Sequence, residues 1–134
     1  MAQDTINLPK VFVIDDDAFL LDMYALKFTQ KGFQVTTSGG TLEALEKLHA
    51  GYAPDILVVD LVMPAMDGFE FLQVLQDEKL VKDALIIILS NLGQQEDIDR
   101  GLALGASGYI IKASATPSEV VEKVLEVLHK RKNK

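Results

Sequence analysis

Residues 55–69, DILVVDLVMPAMDGF, decide the fold of this chain. The four consecutive branched apolar residues at 56–59 predict a β-strand that is buried on both faces. The run ends on the carboxylate of Asp60, and Pro64 and Gly68 follow in a segment typical of a turn. An acid at the tip of a buried strand either reaches solvent at the edge of the sheet or has a charged partner. The rest of the sequence decides between these two cases.

Strand patterns alternate with helical patterns five times along the chain. Short connections after each strand predict right-handed crossovers, and therefore a parallel sheet with helices on both faces. The last helix has the clearest start signal, because Thr116, Pro117 and Glu119 match the N-cap, first helical residue and acid of a capping box. The strands are predicted at 10–14, 33–38, 55–60, 84–90 and 108–112, and the helices at 18–31, 41–49, 68–78, 95–104 and from 117 onward.

The bulk composition limits the classes of protein to consider. The 134 residues are 49% hydrophobic and 25% charged, which suits one domain with a hydrophobic core, and we assign it to residues 10–129. Residues 1–9 are interpreted as an N-terminal extension without the apolar segment of a secretion signal. The basic residues 130–134 are interpreted as a tail, either the solvated end of the last helix or the start of a linker.

Charge and cysteine content exclude several functions. The chain has no cysteine, so a disulfide framework and a thiolate metal site are both excluded. The net charge of −7 argues against direct nucleic-acid binding. No aliphatic run is long enough to cross a bilayer. We therefore expect a cytoplasmic protein that contacts neither membrane nor nucleic acid.

Polar residues follow the predicted strands at the point where each strand ends. Parallel strands end at one edge of the sheet, and that edge is where open α/β folds bind ligands. Acids brought together there repel one another unless a cation lies between them, and Mg²⁺ prefers carboxylate oxygens. An aspartate can also serve as nucleophile for a phosphoryl group, whose transfer depends on nearby positive charge and positioning. These residues are Asp15, Asp16 and Asp17 after the first strand, Asp60 after the third, Ser90 and Asn91 after the fourth, and Lys112 after the fifth.

Each of these residues also has an ordinary interpretation when taken alone. The acids after the first strand could simply begin a helix, because acids favour its positive end. Ser90 could be a loop hydroxyl, Lys112 a surface lysine and Tyr109 a core aromatic. These interpretations weaken because all of them would have to hold at one edge of the sheet.

Four stretches carry a resemblance to a known family: VFVIDDD at 11–17, DILVVDLVMPAMDGFEFL at 55–72, IIILSN at 86–91 and GASGYIIK at 105–112. In this order and spacing they resemble the receiver domain of two-component response regulators. The resemblance implies a flavodoxin-like α/β fold, a doubly wound five-stranded parallel sheet in the order 2-1-3-4-5 with five helices.

The resemblance also implies the roles of the site residues. Asp60 would be the phosphoacceptor. Asp15 and Asp16 would hold Mg²⁺, Asp16 directly and Asp15 through water, with the backbone carbonyl of Val62 completing the protein ligands. Lys112 would be the lysine that pairs with the phosphate, Ser90 the switch hydroxyl and Tyr109 the rotating aromatic. Pro64 and Gly68 would form the turn that shapes the loop after Asp60.

A signalling role follows from the same resemblance. The phosphoryl donor would be a histidine kinase or a histidine phosphotransfer protein. Ser90 would move toward the phosphate and Tyr109 would turn inward, which would reshape the surface of the fourth helix, fifth strand and fifth helix. Output would pass to a downstream protein partner or to a fused effector domain, so the chain is either a stand-alone receiver or the N-terminal part of a longer regulator.

Two departures from the family pattern carry expectations of their own. The family usually has proline after the lysine, and this chain has Ala113, so we expect a trans peptide bond or a strained loop, and a less firmly placed Lys112. Val62 and Leu92 occupy the positions that tune dephosphorylation in the family. Both are apolar and cannot orient an attacking water, so we expect slow self-dephosphorylation.

Three other functions compete with this interpretation. A phosphatase of the haloacid dehalogenase type also uses an aspartate nucleophile, but needs a second acid two residues later, where this chain has Val62. A flavodoxin-like cofactor binder needs a loop that cradles phosphate after the first strand, where this chain has three acids. A receiver-like interaction module that is no longer phosphorylated would lack part of the acidic and basic set, which is intact here.

Overall fold

A computed structural model describes residues 9–132 of the protein. Five strands and five α-helices alternate within this range, as the sequence predicts. The predicted N-terminal extension, apart from Pro9, and residues 133–134 of the basic tail lie outside the described residues. The strands are β1 Lys10–Ile14, β2 Gln34–Ser38, β3 Ile56–Val59, β4 Leu85–Ser90 and β5 Gly108–Ile111, and the helices are α1 Ala18–Gln30, α2 Thr41–His49, α3 Gly68–Asp77, α4 Gln95–Ala103 and α5 Pro117–Lys132.

The strands form one parallel sheet in the order β2-β1-β3-β4-β5. This order confirms the predicted doubly wound α/β fold. Because side chains alternate along a strand, Val11 and Val13 pack on the side of α1 and α5, while Phe12 and Ile14 pack on the side of α2 and α3. Burial of these two apolar layers is the main driving force for folding. None of the helices in the described part of the chain is long and apolar enough to span a membrane.

The end of α1 explains why β2 begins one residue later than predicted. Gly32 has a φ of 96°, and its N–H donates to the carbonyl of Thr29 at 3.0 Å. The N–H of Phe33 donates to the carbonyl of Phe28 at 3.1 Å, which completes a Schellman motif. The two phenyl rings then pack edge to face, 5.1 Å between centroids. Since the helix end uses the Phe33 N–H, the strand begins at Gln34.

Two helices begin with a capping box. At the start of α5 the Thr116 N–H donates to Glu119 Oε1 at 2.8 Å, and the Glu119 N–H donates to Thr116 Oγ1 at 3.2 Å, which confirms the prediction. Asp67 and Glu70 make the same reciprocal pair at the start of α3, directly after the loop that follows Asp60. This second box is not among the elements predicted from the sequence. It anchors the far end of the loop beside the predicted site.

Candidate functional site

The pairing of β1 with β3 brings two acids to the same edge of the sheet. Ile14 lies opposite Val59, so the next residue on each strand is an aspartate. The Asp60 N–H donates to the carbonyl of Ile14 at 3.1 Å and continues the ladder beyond the strand. Asp15 is 1% exposed and Asp60 6% exposed. The apolar run at 56–59 therefore ends on a carboxylate that is both buried and fixed by its backbone.

A third acid completes a group of carboxylates. Three carboxylate oxygens, one each from Asp15, Asp16 and Asp60, lie within 4.8 Å of one another. Asp16 is the exposed member of the group. Asp17 has a different role, because its Oδ1 accepts from the N–H of Leu20 at 3.0 Å and caps α1. The ordinary interpretation, an acid that begins a helix, thus applies to the last of the three consecutive acids.

Lys112 reaches this group from the turn that follows β5. Its ammonium lies 2.7 Å from Asp15 Oδ2 and 2.8 Å from Asp60 Oδ2, and its side chain is 10% exposed. Burial lowers the pKa of Lys112, but the hydrogen bonds and charges of the two aspartates outweigh burial and raise that pKa above its ordinary value of 10.5. Burial raises the pKa of Asp15 above 3.8, against the hydrogen bonds from Lys112 and from the backbone of Asp17. The lysine therefore remains charged and neutralises part of the acidic group.

The donor set fits Mg²⁺. Asp15 Oδ2 is buried and pairs with the Lys112 ammonium at 2.7 Å, and this ammonium is the one positive charge that the described contacts place among the three carboxylates. A group of three carboxylates that faces one ammonium gains from a further cation. Oxygens of three carboxylates, one of them at the solvent edge, are the ligands that a hard divalent cation prefers. The assignment of the Val62 carbonyl as a further ligand stays a prediction.

The loop after Asp60 folds tightly against the strand. The N–H of Val62 donates to Asp60 Oδ1 at 3.2 Å, and the N–H of Gly68 donates to the Leu61 carbonyl at 2.9 Å. A Cβ added to Gly68 would lie 2.6 Å from the Leu61 Cα and would collide with the Asp60 carbonyl oxygen. Pro64 lies exposed at the far side of the loop. The Val62 side chain is 55% exposed beside the acceptor carboxylate.

The ends of β4 and β5 place the remaining predicted residues. Ser90 is fully buried, and its Oγ accepts from the N–H of Leu92 at 3.3 Å, which leaves the hydroxyl proton free to be donated. The Tyr109 hydroxyl donates to the carbonyl of Leu92. Burial, and then the charges of Asp97 and Asp60, raise the pKa of Tyr109 above 10.0. Ser90 and Tyr109 are thus linked through Leu92.

The turn after Lys112 contains a contact that the sequence analysis did not predict. The described residues include no cis peptide bond, so the bond before Ala113 is trans, one of the two outcomes expected for it. The Ala113 N–H donates to Asn91 Oδ1 at 2.7 Å. The two residues are 22 positions apart, and no local pattern pairs them. The sequence predicts Asn91 at this edge of the sheet but assigns it no role.

Comparison with known proteins decides the family. The sequence model of one protein family, the response regulator receiver domain, matches residues 11–125. The chain belongs to this family. Response regulator receiver domains of two-component systems serve phosphorylation-dependent signalling, and that general role follows for this chain. Membership also decides against the phosphatase and flavodoxin-like interpretations.

Curated relatives of this receiver domain include transcriptional regulators. It is 29% identical over 121 residues to the phosphate regulon transcriptional regulatory protein PhoB of Klebsiella pneumoniae, covering 90% of this chain and 52% of that protein. It is 33% identical over 125 residues to the probable transcriptional regulator ycf27 of Guillardia theta, covering 93% of this chain and 47% of that protein. The chain thus spans about half the length of the curated relatives it matches.

Solved receiver structures share the fold along most of the chain. The chemotaxis response regulator CheY4 of Vibrio cholerae aligns with a TM-score of 0.81 at 27% identity, covering 90% of this chain and 99% of that one. The receiver domain of the Francisella response regulator 1452 aligns with a TM-score of 0.80 at 30% identity, covering 92% and 98%. These likenesses support the strand order described above.

Proposed function

We propose that this receiver is a phosphorylation-dependent switch in the cytoplasm, with Asp60 as the phosphoacceptor. The phosphoryl donor is a histidine kinase or a histidine phosphotransfer protein, and the reaction requires Mg²⁺. The observation that carries the proposal is the meeting of Asp15, Asp16 and Asp60 with the Lys112 ammonium at one edge of the sheet. A buried acid beside a fixed ammonium and a pair of carboxylates that can hold Mg²⁺ is suited to accept a phosphoryl group.

The transfer itself needs few protein groups. An oxygen of the ionised Asp60 carboxylate forms a bond to the phosphorus of a phosphohistidine, and the P–N bond breaks, with its electron pair remaining on the imidazole nitrogen. Bound Mg²⁺ would supply charge neutralisation for the phosphoryl oxygens. Lys112 stays protonated and exchanges its contact with Asp60 Oδ2 for a phosphoryl oxygen. The product is an acyl phosphate on Asp60.

The response to phosphorylation uses Ser90 and Tyr109. The Ser90 hydroxyl donates to a phosphoryl oxygen. Leu92 is hydrogen-bonded to both Ser90 and Tyr109, and it moves together with Ser90. Tyr109 then turns inward, and the surface formed by α4, β5 and α5 changes. The changed surface acts on a downstream protein partner or on a fused effector domain.

The proposal is tested by incubation with acetyl phosphate and Mg²⁺, read by intact mass. We expect a labile gain of one phosphoryl group in the parent protein and none in Asp60→Asn or in the presence of EDTA. Absence of the gain in the parent protein would contradict the proposal and favour an interaction module that is not phosphorylated. Light scattering on the same samples separates dimerisation from a response that stays monomeric.

The lifetime of the acyl phosphate is a second expectation. Val62 is 55% exposed beside Asp60, and neither it nor Leu92 can hydrogen-bond an attacking water. We therefore expect the phosphorylated form to decay over hours after removal of the donor. A Val62→Glu variant should decay faster, because its carboxylate can orient water. Decay of the parent within seconds would contradict this expectation.

A further inference from the structure

Lys112 lies just beyond the part of β5 that the sheet holds in place. The last pair of the β4–β5 ladder joins Ser90 to Ile111, so Lys112 is the first residue past it. The ammonium is bound by Asp15 and Asp60, but a flexible four-carbon stem can reach the same point from many backbone positions. A second contact is therefore needed to fix where this side chain begins.

The turn that follows receives such a contact from the neighbouring loop. Lys112–Ser114 form one turn of 3₁₀-helix, and the first N–H groups of any helix lack partners within it. The residue at the cap, Ile111, contributes no side-chain hydrogen bond. Asn91, in the loop after β4, supplies a side-chain acceptor instead. Its Oδ1 accepts a hydrogen bond from the Ala113 N–H at 2.7 Å. The turn's own closing bond, from Ala115 to Lys112, is longer at 3.4 Å.

We propose that Asn91 is a positioning residue for Lys112, an inference that rests on the function proposed above. Asn91 fixes the backbone at 112–113, so the ammonium can transfer from the Asp60 carboxylate to a phosphoryl oxygen by side-chain rotation alone. The contact requires an N–H at residue 113, which alanine has and proline would lack. Asn91 also directly follows Ser90, so one side chain ties the loop of the hydroxyl to the loop of the lysine.

Phosphorylation kinetics test the proposal. The rate of the mass gain is measured against acetyl phosphate concentration for the parent, Asn91→Ala, Asn91→Asp and Gln95→Ala. We expect Asn91→Ala to lower the maximal rate by about two- to tenfold, the factor corresponding to one hydrogen bond of ordinary net strength. Asn91→Asp should restore most of the rate, because its carboxylate accepts the same bond. Gln95→Ala, whose side chain bonds to Asp99 instead, should match the parent.

The positioning role is separated from a general loss of stability by the same variants. Asn91 and Ala113 are exposed, so the urea midpoint of Asn91→Ala should stay close to that of the parent. An unchanged rate in Asn91→Ala would overturn the proposal. A reduced rate that Asn91→Asp does not restore would overturn it as well.

A measurement without any phosphoryl donor keeps this inference distinct from the proposed function. NMR of ¹⁵N-labelled protein follows the Lys112 ammonium and the Ala113 amide in the resting state. We expect both signals to shift in Asn91→Ala and to return in Asn91→Asp. If the parent is never phosphorylated, the proposed function fails and this comparison still decides the role of Asn91. A Lys112 ammonium signal that is the same in all variants would overturn the positioning role of Asn91.

Discussion

The two halves of the site edge are held in place by different kinds of bond. At the tips of β1 and β3, backbone N–H groups continue the ladder into the acids themselves, from Asp15 to the carbonyl of Ser38 and from Asp60 to that of Ile14, each at 3.1 Å. At the tips of β4 and β5, single side-chain bonds hold the loops. They join Tyr109 to Leu92, Leu92 to Ser90, and Ala113 to Asn91.

This difference gives the two halves separate tasks. We call the tips of β1 and β3 the fixed half, and the tips of β4 and β5 with their loops the movable half. Backbone ladders are cooperative, so the acids keep their positions when the charge on Asp60 changes. Side-chain bonds can be exchanged one at a time, so the segment around Leu92 and Tyr109 can take up a second arrangement while the Asn91 bond holds the backbone at 112–113. Lys112 belongs to the second half by sequence but bonds to Asp15 and Asp60 in the first. It is the link through which a new group on Asp60 reaches the movable loops.

The largest effect should come from breaking the fixed half at Gly68. A methyl group there would collide with the backbone of Asp60 and Leu61, neither of which can move without disturbing β3. We expect Gly68→Ala to lower the free energy of unfolding by about 3 kcal/mol, as overpacking against backbone does. Urea denaturation followed by circular dichroism measures the loss.

Gly101→Ala, in α4 beside β4 and β5, is the matched control. Its added methyl would meet the terminal methyl of the Ile88 side chain and not backbone, and alanine favours the helix by about 1 kcal/mol over glycine. The free energy of unfolding should therefore change by less than about 1 kcal/mol. Equal losses for the two variants would contradict the distinction between the halves.

A smaller effect should follow from removing the link between the halves. Lys112→Met leaves Asp15 and Asp60 buried without their cation. We expect unfolding to become easier by about 2 kcal/mol at neutral pH, less than for a fully buried pair because the edge of the sheet meets solvent. Millimolar Mg²⁺ should restore part of the loss, since a cation that binds only the folded state stabilises it. A variant equal to the parent and indifferent to Mg²⁺ would contradict the ion pairing.

The strand ends that bring the acids, Ser90 and Lys112 to one edge could be predicted from the sequence, whereas the contacts between the loops could not. The apolar run at 56–59 predicts the strand, and the parallel sheet then brings Asp15 and Asp60 together without any side-chain detail. The movable half depends on contacts between loops. Neither the 2.7 Å bond from Ala113 to Asn91 nor the tie from Tyr109 to Leu92 has a local signal, because the partners lie far apart in sequence.

The smallest effect should come from one bond of the movable half. Tyr109→Phe removes the bond to the Leu92 carbonyl and should lower the free energy of unfolding by about 1 kcal/mol at neutral pH. The pKa of Tyr109 is raised in the folded state, so its stabilisation is present below pH 10.0 and is lost as pH rises through the folded value. The difference between parent and variant should therefore shrink in strong alkali. A difference independent of pH would contradict the assignment.

The most direct test of the two-part account is hydrogen exchange with and without beryllofluoride and Mg²⁺, with Asp60→Asn as control. We expect beryllofluoride to change exchange at residues 90–93, at 109–111 and along α4. We expect little change in β1 and β3 and none anywhere in the control. Changes spread equally over both halves, or confined to β1 and β3, would contradict the two-part account.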